Sequence, residues 1–320
     1  MIGQKINADK SSRKSNYSQS KFKRQLPLHL MIFIPVILVI IYCYGPMLGI
    51  LIAFQDYVPS TKGFFYSLIN GKWIGLDMFK YIFKMPDFPS IVWNTFFIAS
   101  MKIIAKIIFP LIFALLLNEV KKSWFKKSVQ TITFLPYFLS WVILGGMLLE
   151  IFSPRTGIVN QIIGCFGIEA KYFFGNPKTF PYMLVLTDLW KDIGFNTIIL
   201  LAALTSINPT LYEAAAIDGA GRLKQTIHIT LPGISSIVVL IAILGLGNIM
   251  NAGFDQIFVL YGPSVYSSGD IVDTYTYRMG INNGQFSLAT AVGLFKSVVS
   301  FVMLTISYWI ANKYSDYRIF

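Results

Sequence analysis

Six stretches of this chain are long and apolar enough to cross a lipid bilayer, and that feature leaves few folds open. They run over about 28–54, 91–117, 129–153, 180–205, 232–254 and 286–312. A helix needs roughly 20 apolar residues to traverse the hydrocarbon layer. Within lipid only helices and closed barrels satisfy every backbone N–H and C=O, so the pattern predicts an all-α membrane protein with six transmembrane helices. Composition agrees: 55% of residues are hydrophobic and only 13% charged, against about 25% charged in soluble domains. Pro110, Pro136 and the Gly145–Gly146 pair interrupt apolar runs, which suggests a packed bundle with a path through it.

Charge distribution gives an orientation and excludes some functions. Seven of the 27 Lys and Arg residues stand in the first 24 positions, and Lys121, Lys122, Lys126 and Lys127 crowd one connection. Basic clusters beside apolar spans mark cytoplasmic flanks, so both termini are expected inside and no nucleic-acid partner is expected. The first 24 residues carry no apolar period and read as a flexible basic tail. Positions 25–55 hold no Asp, Glu, Lys or Arg, a run too long for a signal peptide's apolar region, so the first stretch is read as a true span. The layout becomes a tail at 1–24, a first helix and external loop at 25–90, a core at 91–312 enclosing a cytoplasmic loop at 206–231, and a cytoplasmic C-terminus at 313–320. The expected location is the cell membrane, multi-pass and in contact with the bilayer.

Catalytic and metal chemistry find little support. Cys43 and Cys165 are far apart, and the two histidines, His29 and His228, have no acid or serine at a catalytic spacing. That argues against a disulfide framework, a metal site and an enzyme. No Gly-x-x-x-x-Gly-Lys-Ser/Thr phosphate loop occurs, so any ATP that drives the protein must be hydrolysed elsewhere.

The most informative segment is the loop between the fourth and fifth spans. Asn208 can cap a helix with Pro209 in its first position. Leu211 to Ala216 favour helix, and Gly219 can take the left-handed conformation that ends one. A second short helix from about Arg222 to Ile229 is expected to run into Pro232, which opens the fifth span. The pattern Glu213-Ala214-Ala215, three residues, Gly219, nine residues, Ile229-x-Leu231-Pro232 resembles the signature of permease subunits of ABC importers. Phe134 to Trp141, Asn251 to Phe258, Asp273 to Arg278 and Ala289 to Lys296 are similar to the sugar branch of that family, among subunits for complex oligosaccharides.

The resemblance implies the type I ABC importer permease fold. It implies a loop that docks on a cytoplasmic ATPase, with Glu213, Asp218 and Arg222 as charged contacts. It also implies a second permease subunit (a homologous but different chain), two ATPase subunits that use ATP and Mg, and an external solute-binding protein. No cofactor is expected on this chain itself. Other readings are a permease for peptides or amino acids, which share the loop, and an ion-coupled secondary transporter, which would normally show repeated halves.

Charges inside spans are costly and often functional. Asp188, Lys191, Asp192 and Phe195 recur at helical spacing on the fourth span, and Asn248, Asn251, Ala252 and Asp255 form a stripe expected on the fifth. The resemblance to oligosaccharide permeases places the transport cavity on these faces, and Asp188, Trp190, Asp192, Phe195, Asn248, Asn251, Ala252 and Asp255 are the candidate substrate pathway, supplying hydroxyl-bonding groups beside flat aromatic surface. An equally weighted reading is structural: Asp188 and Lys191 neutralise each other and Asn248 joins helices. Lys102, Lys106 and Lys296 are expected either to pair with the acids, to reach an interface or to draw an anionic sugar.

Overall fold

Proline and capping residues decide which apolar stretches become straight helices and which break. The computed structural model describes residues 25–314, so the basic tail at 1–24 and the last six residues lie outside the described part. Helix α1 spans Gln25–Phe54, with a π-turn at Ile40–Tyr44 and a tighter 3-10 winding from Gly45. Nearly all its large apolar side chains up to Leu51 are exposed, and its last turns pack on the final span. A helix this apolar and this bare is stable only against lipid or another polypeptide.

The segment after α1 folds into a small ribbon and two short helices. Strand β1 (Gln55–Asp56) pairs antiparallel with β2 (Lys72–Trp73) around α2 (Phe64–Asn70). Helix α3 (Asp77–Lys84) follows. Phe54 stacks on Trp73 at 5.8 Å, closing the ribbon over the end of α1.

The core begins with α4 (Phe88–Glu119), which keeps its course through Pro110. The expected third span, 129–153, is instead a broken pair: α5 (Ser123–Phe134), a 3-10 turn at Leu135–Phe138, and α6 (Trp141–Ile151), bent by 105°. Pro136 removes a donor from the ladder, and Ser140 starts a new helix by accepting from the Ile143 N–H at 3.4 Å. Helix α7 (Ile158–Cys165) is a short connecting element. The 26-residue α8 (Phe180–Thr205) matches the fourth expected span. Gly194 lets α5 come close, since a Cβ there would stand 2.4 Å from the Thr133 carbonyl.

Helix α9 (Pro209–Ile217) leaves α8 at 68°. The second loop helix and the fifth span are not separate, as the sequence suggested: α10 runs unbroken over Arg222–Gly247. A π-turn at Thr226–Thr230 lies just ahead of Pro232. Its wider winding relieves the clash between the proline ring and the preceding turn. The same helix ends early, at Gly247 rather than near 254, so Asn248, Asn251 and Ala252 sit in a turn and not on a helical stripe. Helices α11 (Phe254–Leu260) and α12 (Val272–Tyr277) follow, and α13 (Phe286–Tyr314) closes the bundle.

Among the described residues four helices are long and apolar enough to span alone, and the count reaches six if each bent pair is one span. Helix α4 packs along α8 more extensively than any other described pair. A large apolar core joins α4, α6, α8, α11 and α13, and a smaller one around Ala114, Leu117, Leu200, Leu204 and Ile234 lies toward α9.

Candidate functional site

The first candidate region is the loop that α9 opens. Asn208 Oδ1 accepts from the Thr210 N–H at 3.1 Å and Pro209 takes the first helical position. At the other end the Ala220 N–H donates to Ala215 O at 2.8 Å and the Gly219 N–H to Ala216 O at 3.1 Å. Those two bonds form a Schellman motif, which requires a left-handed residue at Gly219; its φ is +76°. Tyr212 and Thr230 share a hydroxyl–hydroxyl bond of 3.0 Å that ties α9 to α10.

The exposed face of this loop mixes apolar and charged groups. Leu211, Ile217 and Leu223 are exposed, Ile217 at 87%, beside exposed Glu213, Ala214 and Asp218. Exposed apolar side chains gathered on one ordered element mark an interaction surface. Ala215, Ile229 and Leu231 are half-buried, while Pro232 is exposed at the start of the membrane-embedded part of α10. Arg222, expected to face a partner, pairs within the chain with Glu119 at 3.1 Å and fixes the loop to the end of α4. Removal of the α9 cap by Asn208→Ala is expected to cost about 1 kcal/mol of local stability. The check is hydrogen exchange over 209–217, which should accelerate there while α8 is unchanged.

A second region lies deep in the bundle, where α4 and α8 face each other. Each helix carries its charges four residues apart: Lys102 and Lys106 on one, Asp188 and Asp192 on the other. Lys106 Nζ reaches Asp188 at 2.8 Å and Asp192 at 2.6 Å, and Lys102 Nζ lies 3.9 Å from Asp188. Lys102 also donates to Ala252 O at 2.6 Å and to Gln256 Oε1. Gln256 in turn donates to Leu184 O and Thr187 Oγ1, both at 2.8 Å. Lys102, Asp188 and Gln256 are buried. The pairing of Asp188 with Lys191 that the sequence allowed does not occur; α4 supplies the counter-charge.

Lys191 points the other way. Its ammonium donates to the carbonyls of Tyr137 at 2.8 Å, Leu139 at 2.7 Å and Pro136 at 3.4 Å, in the break between α5 and α6. It also lies over the rings of Tyr137 and Trp141 at 5.5 and 5.7 Å. A cation beside carbonyls freed by a broken helix replaces the lost backbone donors. Phe195 stacks on Tyr137 with ring centres 4.6 Å apart, and Trp190 is exposed nearby on α8.

A third region is an open cleft of about 560 Å³ lined by Asn251, Phe254, Asp273, Tyr277, Thr290 and Lys296 among others. Lys296 Nζ stands 2.5 Å from both Asn251 and Asp273. Asn251 donates to Asn248 Oδ1 at 3.1 Å, and Phe254, Phe258 and Tyr277 form a ring cluster. Here the structure brings Asn248 and Asn251 together. Asp255 is exposed on α11 outside the lining, and the Ala252 side chain is buried in the core, its carbonyl alone serving Lys102. Asp273, Thr290 and Tyr277 did not stand out as pathway residues in the sequence, because they come from α12 and α13 and no local period joins them to Asn251.

Residues 106–316 match the family model described as binding-protein-dependent transport system inner membrane component. Protein LplB of Bacillus subtilis (strain 168) is 40% identical over 298 residues, which covers 93% of this chain and 92% of that protein. The polygalacturonan/rhamnogalacturonan transport system permease protein YteP of the same organism is 38% identical over 300 residues, covering 94% and 92%. Among solved structures, a chain of a bacterial ABC transporter involved in the import of the acidic polysaccharide alginate superposes with a TM-score of 0.85. It is 33% identical, with 92% of this chain and 98% of that chain covered. A chain of the bacterial alginate ABC transporter in complex with alginate pentasaccharide-bound periplasmic protein gives 0.84 at the same identity, covering 92% and 96%.

Proposed function

This chain belongs to the binding-protein-dependent transport system inner membrane components, and we propose that it forms one half of a path that imports an oligosaccharide. The other half is a second permease subunit, two cytoplasmic ATPase subunits supply the energy from ATP and Mg, and an external solute-binding protein delivers the sugar. The chain binds no cofactor of its own. Both termini lie in the cytoplasm, on the side where basic residues are concentrated.

The observation that carries the reading is the construction of the loop. A nine-residue helix capped at both ends, bent 68° from α8, presents exposed Leu211, Glu213, Ile217 and Asp218 on the side away from the bundle. A connector between spans needs neither caps nor apolar exposure, whereas a helix that docks into a cleft needs both. Glu213, Ala214, Ala215, Asp218 and Gly219 form the docking face. Ile229, Leu231 and Pro232 carry its movement into α10, and Arg222 holds the loop to α4.

Movement of α9 reaches the pathway through α8. The two helices are separated only by residues 206–208, and α8 carries Asp188, Trp190, Lys191, Asp192 and Phe195 about its middle. Closure of the ATPases against α9 therefore turns the face that bears Lys191 and Phe195. On the other wall, Asn248, Asn251 and Asp273 offer acceptors and donors for sugar hydroxyls, and Phe254 and Tyr277 offer apolar ring surface. Sugars present this combination of polar edges and flat C–H faces.

The test is uptake by the complete transporter in liposomes. Oligosaccharide accumulation is expected only with ATP inside and loaded binding protein outside. No oligosaccharide uptake with all components present, or uptake driven by an ion gradient without ATP, would overturn the proposal.

A further inference from the structure

Within the apolar stretches 91–117, 180–205 and 286–312 stand Lys102, Lys106, Lys191 and Lys296, and three of these four are answered by carboxylates. Lys106 meets Asp188 and Asp192, Lys102 lies near Asp188, and Lys296 meets Asp273, at distances of 2.5–3.9 Å. Lys191 differs. Among the described residues its ammonium forms no ion pair, and the acids nearest in sequence, Asp188 and Asp192, are bonded to Lys106 instead. Its partners are three backbone carbonyls and the faces of two rings.

Position makes this charge costly. Lys191 is the twelfth of the 26 residues of α8, about 16 Å along the helix from its external end. Charged groups at that depth face a bundle interior or a water-filled path, because lipid exposure is too expensive. Carbonyl dipoles and rings soften the cost without cancelling the charge. The side chain is only half-buried, and Tyr137, over which its ammonium lies, and Phe195, stacked on that ring, are exposed. An unmatched positive charge therefore borders apolar ring surface on the side of α8 that the import path uses.

We propose that Lys191 is a specificity-determining residue that favours a carboxylated sugar unit, such as a uronate, over its neutral counterpart. The proposal rests on the oligosaccharide-import reading above. The carboxylate takes the place of the longest of the three carbonyl contacts, 3.4 Å to Pro136, while Tyr137 and Leu139 keep the ammonium in position. The pyranose ring lies against the exposed edges of Tyr137 and Phe195. Asp188 and Asp192 do not repel the incoming anion, because Lys106 already neutralises them.

Equilibrium binding to the complete membrane complex in detergent, without binding protein, tests this on the permease alone. The probes are a uronate trisaccharide and the same trisaccharide with its carboxyls reduced to alcohols. Wild type is expected to hold the uronate at least about tenfold more tightly, with the difference shrinking as salt rises. Lys191→Met should bring the two sugars level by weakening the hold on the uronate, and Lys191→Arg should restore the preference. Equal binding by wild type overturns the proposal. So does a Lys191→Met variant that loses both sugars alike, since that is the result of a brace across the α5–α6 break. Binding of neither sugar also overturns it, and the binding-protein-dependent uptake described above then decides separately whether the import reading stands.

Discussion

If the loop docks an ATPase as proposed, a Gly219→Trp chain will fold and insert, yet will no longer retain that subunit during purification in mild detergent. Gly219 is the left-handed residue that closes α9, at φ +76°. An L side chain there costs about 1–2 kcal/mol, a strain confined to the last turn of a surface helix. Among the described residues, nothing beyond its own turn lies within 4 Å of the position a Cβ would take, so the side chain leaves the backbone without a clash at its root. It projects instead beside Ile217 and Asp218, into the space where a docking partner must sit. Blocking such a contact costs roughly 3 kcal/mol or more, above a hundredfold in affinity. Gly219→Ala separates the two effects, since it carries the backbone strain without the bulk and should keep most of the partner. Retention of the ATPase by Gly219→Trp, with transport intact, would remove the loop from the coupling role.

The same loop shows what a sequence discloses. Its cap, its first-turn proline and its terminal glycine are local devices, so Asn208, Pro209 and Gly219 could each be assigned from neighbours a few residues away, and the structure places all three as expected. Span positions were legible for a similar reason, since an apolar run of sufficient length has few other uses. Breaks were not. Pro110 and Pro136 look alike in sequence, but α4 continues through the first and the third span breaks at the second. The difference lies in the neighbours: Pro110 is buried within a helix packed along α8, whereas at Pro136 the ammonium of Lys191 takes up the freed carbonyls. Which lysine answers which acid was equally hidden, because it depends on how α4 and α8 are rotated against each other. The cleft of Asn251, Asp273 and Lys296 joins a turn and two helices that only the closed bundle brings together.

That rotation makes the second large effect predictable. Replacement of Lys106 by Met should destabilise the bundle by about 3–5 kcal/mol, the cost of leaving buried charge without its partner. Lys106 is the only residue that bonds both Asp188 and Asp192 in the described structure. Without it, Asp192 has no counter-charge and Asp188 keeps only Lys102, at 3.9 Å. Asp192→Asn should cost far less, since Lys106 then still holds Asp188. The penalty comes from unmatched charge and not from the lost packing of one side chain, which a methionine of similar length largely preserves. Adding Asp188→Asn and Asp192→Asn to Lys106→Met should therefore recover most of the loss. The midpoint of unfolding in a sodium dodecyl sulfate titration reads all four chains on one scale. A triple variant no more stable than Lys106→Met alone would show that packing between α4 and α8, and not charge pairing, sets the stability of this interface.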